Sequence, residues 1–192
     1  MSEAATVVAF LDASVLYPAL LRNMLMHFAV NDLYQPRWSA RVHEEWMTAL
    51  LRNRPDITRA QIERTRRLME AEIDDAIVEG FEHLIPSLTL PDADDRHVLA
   101  AAIHCGAKVL VTANLRDFPT PILTSFGLVA EHPDAFLLRL INADPEQGFV
   151  AFEELCGNRK NPPQTLREIT DLLCRRGLTA TAAALSDRLD LE

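Results

Sequence analysis

An aspartate stands where an apolar run stops. Val7-Val8-Ala9-Phe10-Leu11 leads directly into Asp12-Ala13-Ser14. The chain repeats the arrangement a hundred residues on. There Val109-Leu110-Val111-Thr112 opens into Ala113-Asn114-Leu115-Arg116-Asp117-Phe118. Continuous apolar runs of this length predict buried parallel strands. Open α/β sheets bind ligands beyond the carboxyl ends of such strands, so the two ends can meet in one crevice. Carboxylates gathered there repel one another, and a hard cation with oxygen ligands is the simplest relief.

Two further acids are picked out by helical phase. On a helix starting after Ser39, the apolar stripe is Val42, Trp46, Ala49 and Leu50. Glu45 falls on that stripe, while Glu44 is turned about 100° away into solvent. An inward glutamate needs a partner, which is either a metal or a neighbouring arginine. Asp92, Asp94 and Asp95 crowd the start of the helix after Pro91. The macrodipole alone favours acids there, and Asp92 needs no further explanation. Asp95 shares a face with Leu99 and Ala102 and so points towards the core, and the spacing leaves Asp94 open as a supporting acid. Ser14, Thr112 and Asn114 can orient a carboxylate or water without adding charge, although Asn and Asp after a strand also favour plain turns. Asp12 itself has the competing role of helix cap.

The histidines carry less. His97 and His104 lie seven apart with no metal-ligand spacing and read as packing or surface residues; His43 is placed near Glu45. No G-x-S-x-G, Walker A or G-x-G-x-x-G pattern occurs. Cys105, Cys156 and Cys174 are odd in number and far apart with no C-x-x-C, which argues against a disulfide framework or a zinc site.

The elements that must hold these side chains follow from the same patterns. Strands are predicted at Val7–Leu11 and Lys108–Thr112, with an edge strand near Leu128–Ala130. One helix is expected from Val15 to Asp32 with Pro18 in its first turn, ended by Gln35-Pro36. Others run from Ser39 to Arg52, and from a capping box at Thr58–Gln61 to Ala76. Gly80–Leu90 is irregular, either a short strand or a turn. A helix over Ala93–Cys105 is capped by Asp92 and stopped at Gly106, and short helices follow at Pro121–Phe126 and Pro133–Asn142. The alternation predicts a three-layer α/β/α sheet, mostly parallel. After Ala143 only helices are expected, over Pro145–Cys156, Gln164–Arg176 and Thr179–Leu189, with breaks at Asn158–Pro163 and Gly177. Residues 1–142 thus form the sheet domain and 143–192 a helical C-terminal extension.

Bulk properties agree with an ordinary globular protein: 192 residues, 48% hydrophobic and 24% charged. The net charge of −9 argues against non-specific coating of DNA, which rests on neutralising phosphates. It leaves room for an enzyme that grips nucleic acid locally. Six arginines (52, 54, 59, 64, 66, 67) fall between Arg52 and Arg67, whereas Leu68–Asp95 holds nine acids and no Lys or Arg. The first run is either a solvated helix face or a phosphate patch. No signal-like N-terminus and no membrane-length apolar run occurs, which predicts a cytoplasmic protein with no membrane contact.

Taken in order, these pieces resemble a PIN-domain ribonuclease, in particular the toxin component of VapBC-type pairs. The pieces are Phe-Leu-Asp12-Ala-Ser-Val-Leu, helical Glu45, Asp95 opening Asp-Arg-His-Val-Leu-Ala-Ala-Ala, and Thr112-Ala-Asn114-Leu-Arg-Asp117-Phe118. They span about residues 6–135. The resemblance implies a PIN-like fold and a Mg²⁺- or Mn²⁺-dependent endoribonuclease of single-stranded RNA, silenced by a cognate antitoxin and often homodimeric. It implies Asp12, Glu45, Asp95 and Asp117 as catalytic and metal-binding acids. Ser14, Asp94, Thr112 and Asn114 would support them, and Arg96 and Arg116 would contact RNA phosphates. The chain departs from the family's T-x-D-x-D-F pattern: Asn114 replaces the first acid and an extra residue precedes Asp117. That departure leaves one or two metal ions open. It also sustains the alternative of a catalytically inactive PIN scaffold that binds RNA or protein. Receiver-type and haloacid-dehalogenase-like readings fail, because the first lacks its acidic pair and the second finds Ser14 where its second aspartate belongs.

Overall fold

The computed structural model describes residues 6–158 and 164–190. Most of the break placed at Asn158–Pro163 lies outside them.

Among the described residues, four short strands form one parallel sheet: β1 (Val8–Leu11), β2 (Gln35–Arg37), β3 (Val109–Val111) and β4 (Val129–Glu131), in the order β2-β1-β3-β4. The chain leaves β1 for β2 on one side and later crosses back to place β3 on the other. The winding direction therefore reverses between β1 and β3. Right-handed crossovers leading in opposite directions put helices on both faces. Both strands flanking the reversal are apolar and buried, with Phe10, Leu11, Leu110 and Val111 wholly inaccessible. Leu11 is in register with Val111, so the two strands end side by side.

The helix expected over Val15–Asp32 is two. A single turn, α1 (Ala13–Leu16), is separated from α2 (Ala19–Val30) by Pro18, which is extended at ψ 117° and caps α2 by accepting the Arg22 N–H at 2.9 Å. Proline thus starts the second helix rather than sitting inside the first turn of one. Gln35-Pro36 is likewise not merely a break. It forms the edge strand β2, where Gln35 N–H donates to Val7 O at 2.9 Å and a proline costs little.

α3 (Ala40–Asn53) begins as expected, with Ser39 Oγ accepting the Val42 N–H. α4 (Arg59–Glu72) carries the Thr58/Gln61 capping box but stops four residues earlier than expected. A 3₁₀ turn over Glu82–Ser87 occupies the irregular stretch. α5 (Arg96–His104) starts three residues late, because Asp92 caps an Asx turn through the Asp94 N–H rather than the helix itself. Gly106, at φ +68°, reverses the chain after α5 into β3. A second 3₁₀ turn, Leu115–Asp117, and α6 (Thr120–Thr124) lead to β4.

The remaining helices are α7 (Pro133–Ala143), α8 (Pro145–Gly157), α9 (Leu166–Arg175) and α10 (Thr179–Leu189). α8 packs on α2 and α7, α10 on α7 and α9. One apolar cluster runs from the sheet through Phe136 and Phe152 to Ile169 and Leu185. Among the described residues no helix is long and apolar enough to cross a membrane.

Candidate active site

The reversal between β1 and β3 is where the chemistry-bearing side chains meet. Asp12 continues the ladder by donating its N–H to Val111 O at 3.1 Å. Its side chain is only 7% exposed and caps nothing, although it directly precedes α1. Its Oδ2 instead accepts the hydroxyls of Ser14, at 2.6 Å, and Thr112, at 2.8 Å. Those hydroxyls are held in turn, since Ser14 Oγ accepts the Ala113 N–H at 3.1 Å and Thr112 Oγ1 the Asn114 N–H at 3.0 Å. Each hydroxyl proton is thereby directed at Asp12, and the carboxylate is fixed from both strand ends.

Asp95 sits just before α5 without capping it. Its carboxyl is pushed up to about 6, first by burial and then by the negative charges of Asp12, Asp92 and Asp117; His97 pulls weakly the other way. Asp12, Asp95 and Asp117 therefore share one electrostatic neighbourhood. Asp117 reaches it from the 3₁₀ turn and is half-buried, with Arg116 Nε 3.6 Å from its Oδ1. The rest of Arg116 is in solvent, 87% exposed. Arg96 is half-buried, and its Nε donates to Ala93 O at 2.9 Å, so part of its guanidinium is committed to the turn before α5.

Two expected supporting residues contribute little through their side chains. Asp94 is exposed, and the bond it makes to the turn is through its backbone N–H. Asn114 is exposed and acts through its backbone amide on Thr112.

The phase argument for α3 holds. Glu44 is exposed and forms a two-bond pair with Arg59 at 3.0 and 2.8 Å. Glu45 is half-buried, and its Oε1 meets His97 Nε2 at 2.8 Å and Arg41 Nε at 3.3 Å. It also borders a surface depression of about 430 Å³ shared with Arg41, Thr48 and Arg52.

His97, expected to be a packing or surface residue, is 1% exposed, with its Nε2 2.8 Å from Glu45 Oε1. The overlooked signal was its position on the buried run Val98–Ala102: an imidazole in that phase needs a polar partner, and the inward acid on α3 supplies it. His43, placed near Glu45, instead faces the core and accepts the Trp46 indole N–H at 2.9 Å. Burial pushes it down to about 4, helped by the charges of Arg66 and Arg22. Glu70 stands 3.7 Å from His43 Nε2, but Arg66 holds that carboxylate at 3.0 Å.

Of the arginine run, Arg54, Arg59 and Arg66 are spent on Asp56, Glu44, Glu63 and Glu70. Arg52, Arg64 and Arg67 are exposed. Among the described residues no three His, Cys, Asp or Glu side chains are drawn tightly enough together to enclose a metal by themselves. Cys105, Cys156 and Cys174 form no disulfide among the described residues.

Comparison with known proteins gives two family matches. The model described as the PIN domain matches residues 8–116, and that described as the VapC50 C-terminal domain matches residues 133–187. The curated protein described as "Putative ribonuclease VapC50", from Mycobacterium tuberculosis (strain ATCC 25618 / H37Rv), is 35% identical over 98 residues. That alignment spans 51% of this chain and 57% of the relative, so only about half of each is compared. No solved structure matches the chain.

Proposed function

This chain belongs to the PIN-domain family, and from that premise we propose that it is a metal-dependent endoribonuclease of single-stranded RNA, the toxin of a toxin–antitoxin pair. The observation that carries this reading is Asp12, fixed by Ser14 and Thr112 at the reversal between β1 and β3, with its charge and that of Asp117 felt at Asp95. The PIN-domain match covers Asp12, Glu45, Asp95 and Thr112, and the similarity to a protein named as a ribonuclease supports the reaction class.

We assign Mg²⁺ or Mn²⁺ as the cofactor. The donors fit: they are carboxylate oxygens, and the Asp95 carboxyl is raised by burial and then by its acidic neighbours, whose repulsion a cation relieves. Mg²⁺ keeps several waters and needs only one or two carboxylates, so a closed protein cage is not required. Asp12, Asp95 and Asp117 would hold the ion, with Glu45 completing the set. When bound, the metal supplies a water of lowered pKa and stabilises the charge developing on the phosphodiester.

The chain's own groups do the positioning. Ser14 and Thr112 both donate to Asp12 Oδ2, which leaves Oδ1 directed away from the hydroxyl pair. Arg116, projecting into solvent beside Asp117, is placed to take an RNA phosphate, with Arg96 as a second contact. Residues 1–142 are assigned to the nuclease unit and 143–192 to a helical extension. A cognate antitoxin, a homodimer and a cytoplasmic location complete the proposal.

The test is cleavage of a short single-stranded RNA by the purified protein with Mg²⁺ or Mn²⁺. Asp12→Ala and Asp95→Ala should each abolish cleavage, as should EDTA. Cleavage that survives both substitutions, or survives EDTA, refutes the metal-site reading. Asn114, standing where the family carries an acid, favours the inactive scaffold as the second reading. A scaffold would show neither cleavage nor Mn²⁺-dependent thermal stabilisation, whereas a binding site raises the stability of the folded state.

A further inference from the structure

Glu45, assigned to the site from α3, has its carboxylate met by a side chain of α5. His97 Nε2 lies 2.8 Å from Glu45 Oε1, and His97 is two residues beyond Asp95 on the same segment. The imidazole is 1% exposed, while the Glu45 side chain keeps 38% of its surface. Its other nitrogen, Nδ1, is buried with no hydrogen-bond partner among the described residues. A proton on Nδ1 would be an orphaned buried donor, while an unprotonated Nδ1 is merely an unused acceptor. A ring carrying one proton therefore places it on Nε2, which faces Glu45 Oε1. Arg41 approaches the same oxygen at 3.3 Å from the exposed side. Among the described residues, both protein donors take Oε1 and neither takes Oε2.

We propose that His97 is a positioning residue that locks Glu45, donating Nε2–H to Oε1 so that Oε2 is presented to a divalent cation shared with the Asp12–Asp95 cluster. The inference rests on the metal-site reading of the preceding subsection. Physically it resembles the hydrogen-bonded support that fixes ligating carboxylates elsewhere, whose loss typically costs 10–100-fold in metal affinity or activity. α5 then has two tasks, carrying Asp95 at its start and orienting a ligand of another helix two residues later. The contact also explains why a histidine sits within the otherwise apolar buried run His97–Ala102.

The test uses the full chain and Mn²⁺ alone, with affinity measured by isothermal titration calorimetry. His97→Gln places an amide N–H near the Nε2 position and preserves the donor; His97→Asn places it near Nδ1 and loses the donor. His97→Asn should weaken Mn²⁺ binding about tenfold, and His97→Gln should stay within about threefold of wild type. In combination with Glu45→Gln, His97→Asn should add little further loss, because the two act as one unit. A merely structural contact would lower the metal-free unfolding midpoint of both variants and leave Mn²⁺ affinity unchanged.

Wild-type protein that binds Mn²⁺ through Asp12, with His97→Asn binding equally well, overturns the inference alone. Wild-type protein that does not bind Mn²⁺, or an Asp12→Asn variant that binds as well as wild type, overturns the metal-site reading and this inference with it. If His97→Asn fails to fold, long-range ¹H–¹⁵N NMR of the wild-type imidazole decides. A proton on Nε2 supports the lock, and a proton on Nδ1 overturns it.

Discussion

Thr112 donates its hydroxyl to Asp12 Oδ2 across 2.8 Å, joining residues one hundred positions apart at the ends of adjacent strands. The bond exists because Leu11 and Val111 are in register, so the next residue of each strand emerges at the same level. Thr112 is fully buried and also accepts the Asn114 N–H. Thr112→Val keeps the shape and removes both bonds. A hydrogen bond to a charged group contributes about 1.5–3 kcal/mol, so a loss of about 2 kcal/mol in unfolding free energy is expected in urea titrations. Thr112→Ser should recover most of it. RNA cleavage should fall about tenfold or more in the valine variant, because Asp12 loses one of its two restraints. Wild-type stability in Thr112→Val would mean that the bond carries no weight.

Glu44 and Glu45 are adjacent but point differently. Glu45 meets buried His97, whereas Glu44 pairs with Arg59 in solvent. Glu45→Gln should cost at least about tenfold in RNA cleavage. Glu44→Gln should leave cleavage near wild type and change stability by no more than about 1 kcal/mol, the usual ceiling for an exposed pair. Equal effects on cleavage would remove Glu45 from the site.

The Asp95 carboxyl, pushed up to about 6, gives a pH signature to the metal-free protein. Because the folded value lies above the unfolded one, near 3.8, the folded state binds the proton more tightly. Stability from this group is fully present below about 4 and lost as pH rises through about 6. His43 works in the opposite sense: its folded value near 4 lies below the unfolded 6.5, so its share is lost as pH falls across that interval. The wild-type curve mixes the two, and the difference between wild type and Asp95→Asn separates them. In EDTA, Asp95→Asn should be more stable than wild type at pH 7, and the advantage should shrink towards pH 4. Asparagine suits the position before a helix, so no capping loss masks the effect. A pH-independent difference in urea unfolding would show that the Asp95 carboxyl is not raised in the folded state.

How much of this was legible in the sequence follows from the range of the forces involved. The apolar runs ending at Asp12 and Thr112 declared β1 and β3, because full burial leaves a composition signal. Ser39 and the Thr58–Gln61 box declared the starts of α3 and α4, because caps are local. Helical phase alone separated Glu45 from Glu44. Edge strand β2 was hidden, since Gln35-Pro36-Arg37 has no strand composition and pairs only because β1 already offers Val7 O. The late start of α5 was hidden too, because Asp92 closes an Asx turn that competes with the helix. The His97–Glu45 pair spans two helices, and no spacing rule connects residues 52 positions apart. The edge pairing of β2 and the His97–Glu45 contact are tertiary, whereas the Asx turn is a local competitor of the helix.

The last helix depends on a residue of another. Asp134, near the start of α7, accepts the N–H groups of Ala180 and Thr181 at 3.0 and 2.8 Å, and its backbone carbonyl accepts the Thr181 hydroxyl at 3.1 Å. Burial alone would raise its carboxyl, but these donors from Thr181 and Ala180 outweigh it and hold the group below the usual aspartate value. Leu178, the residue before α10, offers no side-chain cap, so Asp134 fills that role from α7. Replacing a cap by alanine costs about 0.5–2 kcal/mol. Asp134→Ala should therefore lower overall stability by about 1 kcal/mol and speed amide hydrogen exchange at Ala180 and Thr181 well beyond that at Leu110. Uniform acceleration across the sheet and α10 would mean that the helix does not open separately. Since Asp134 is distant in sequence from every proposed metal ligand, Mn²⁺ affinity should remain within about twofold of wild type. A larger loss would tie the C-terminal helices to the geometry of the site.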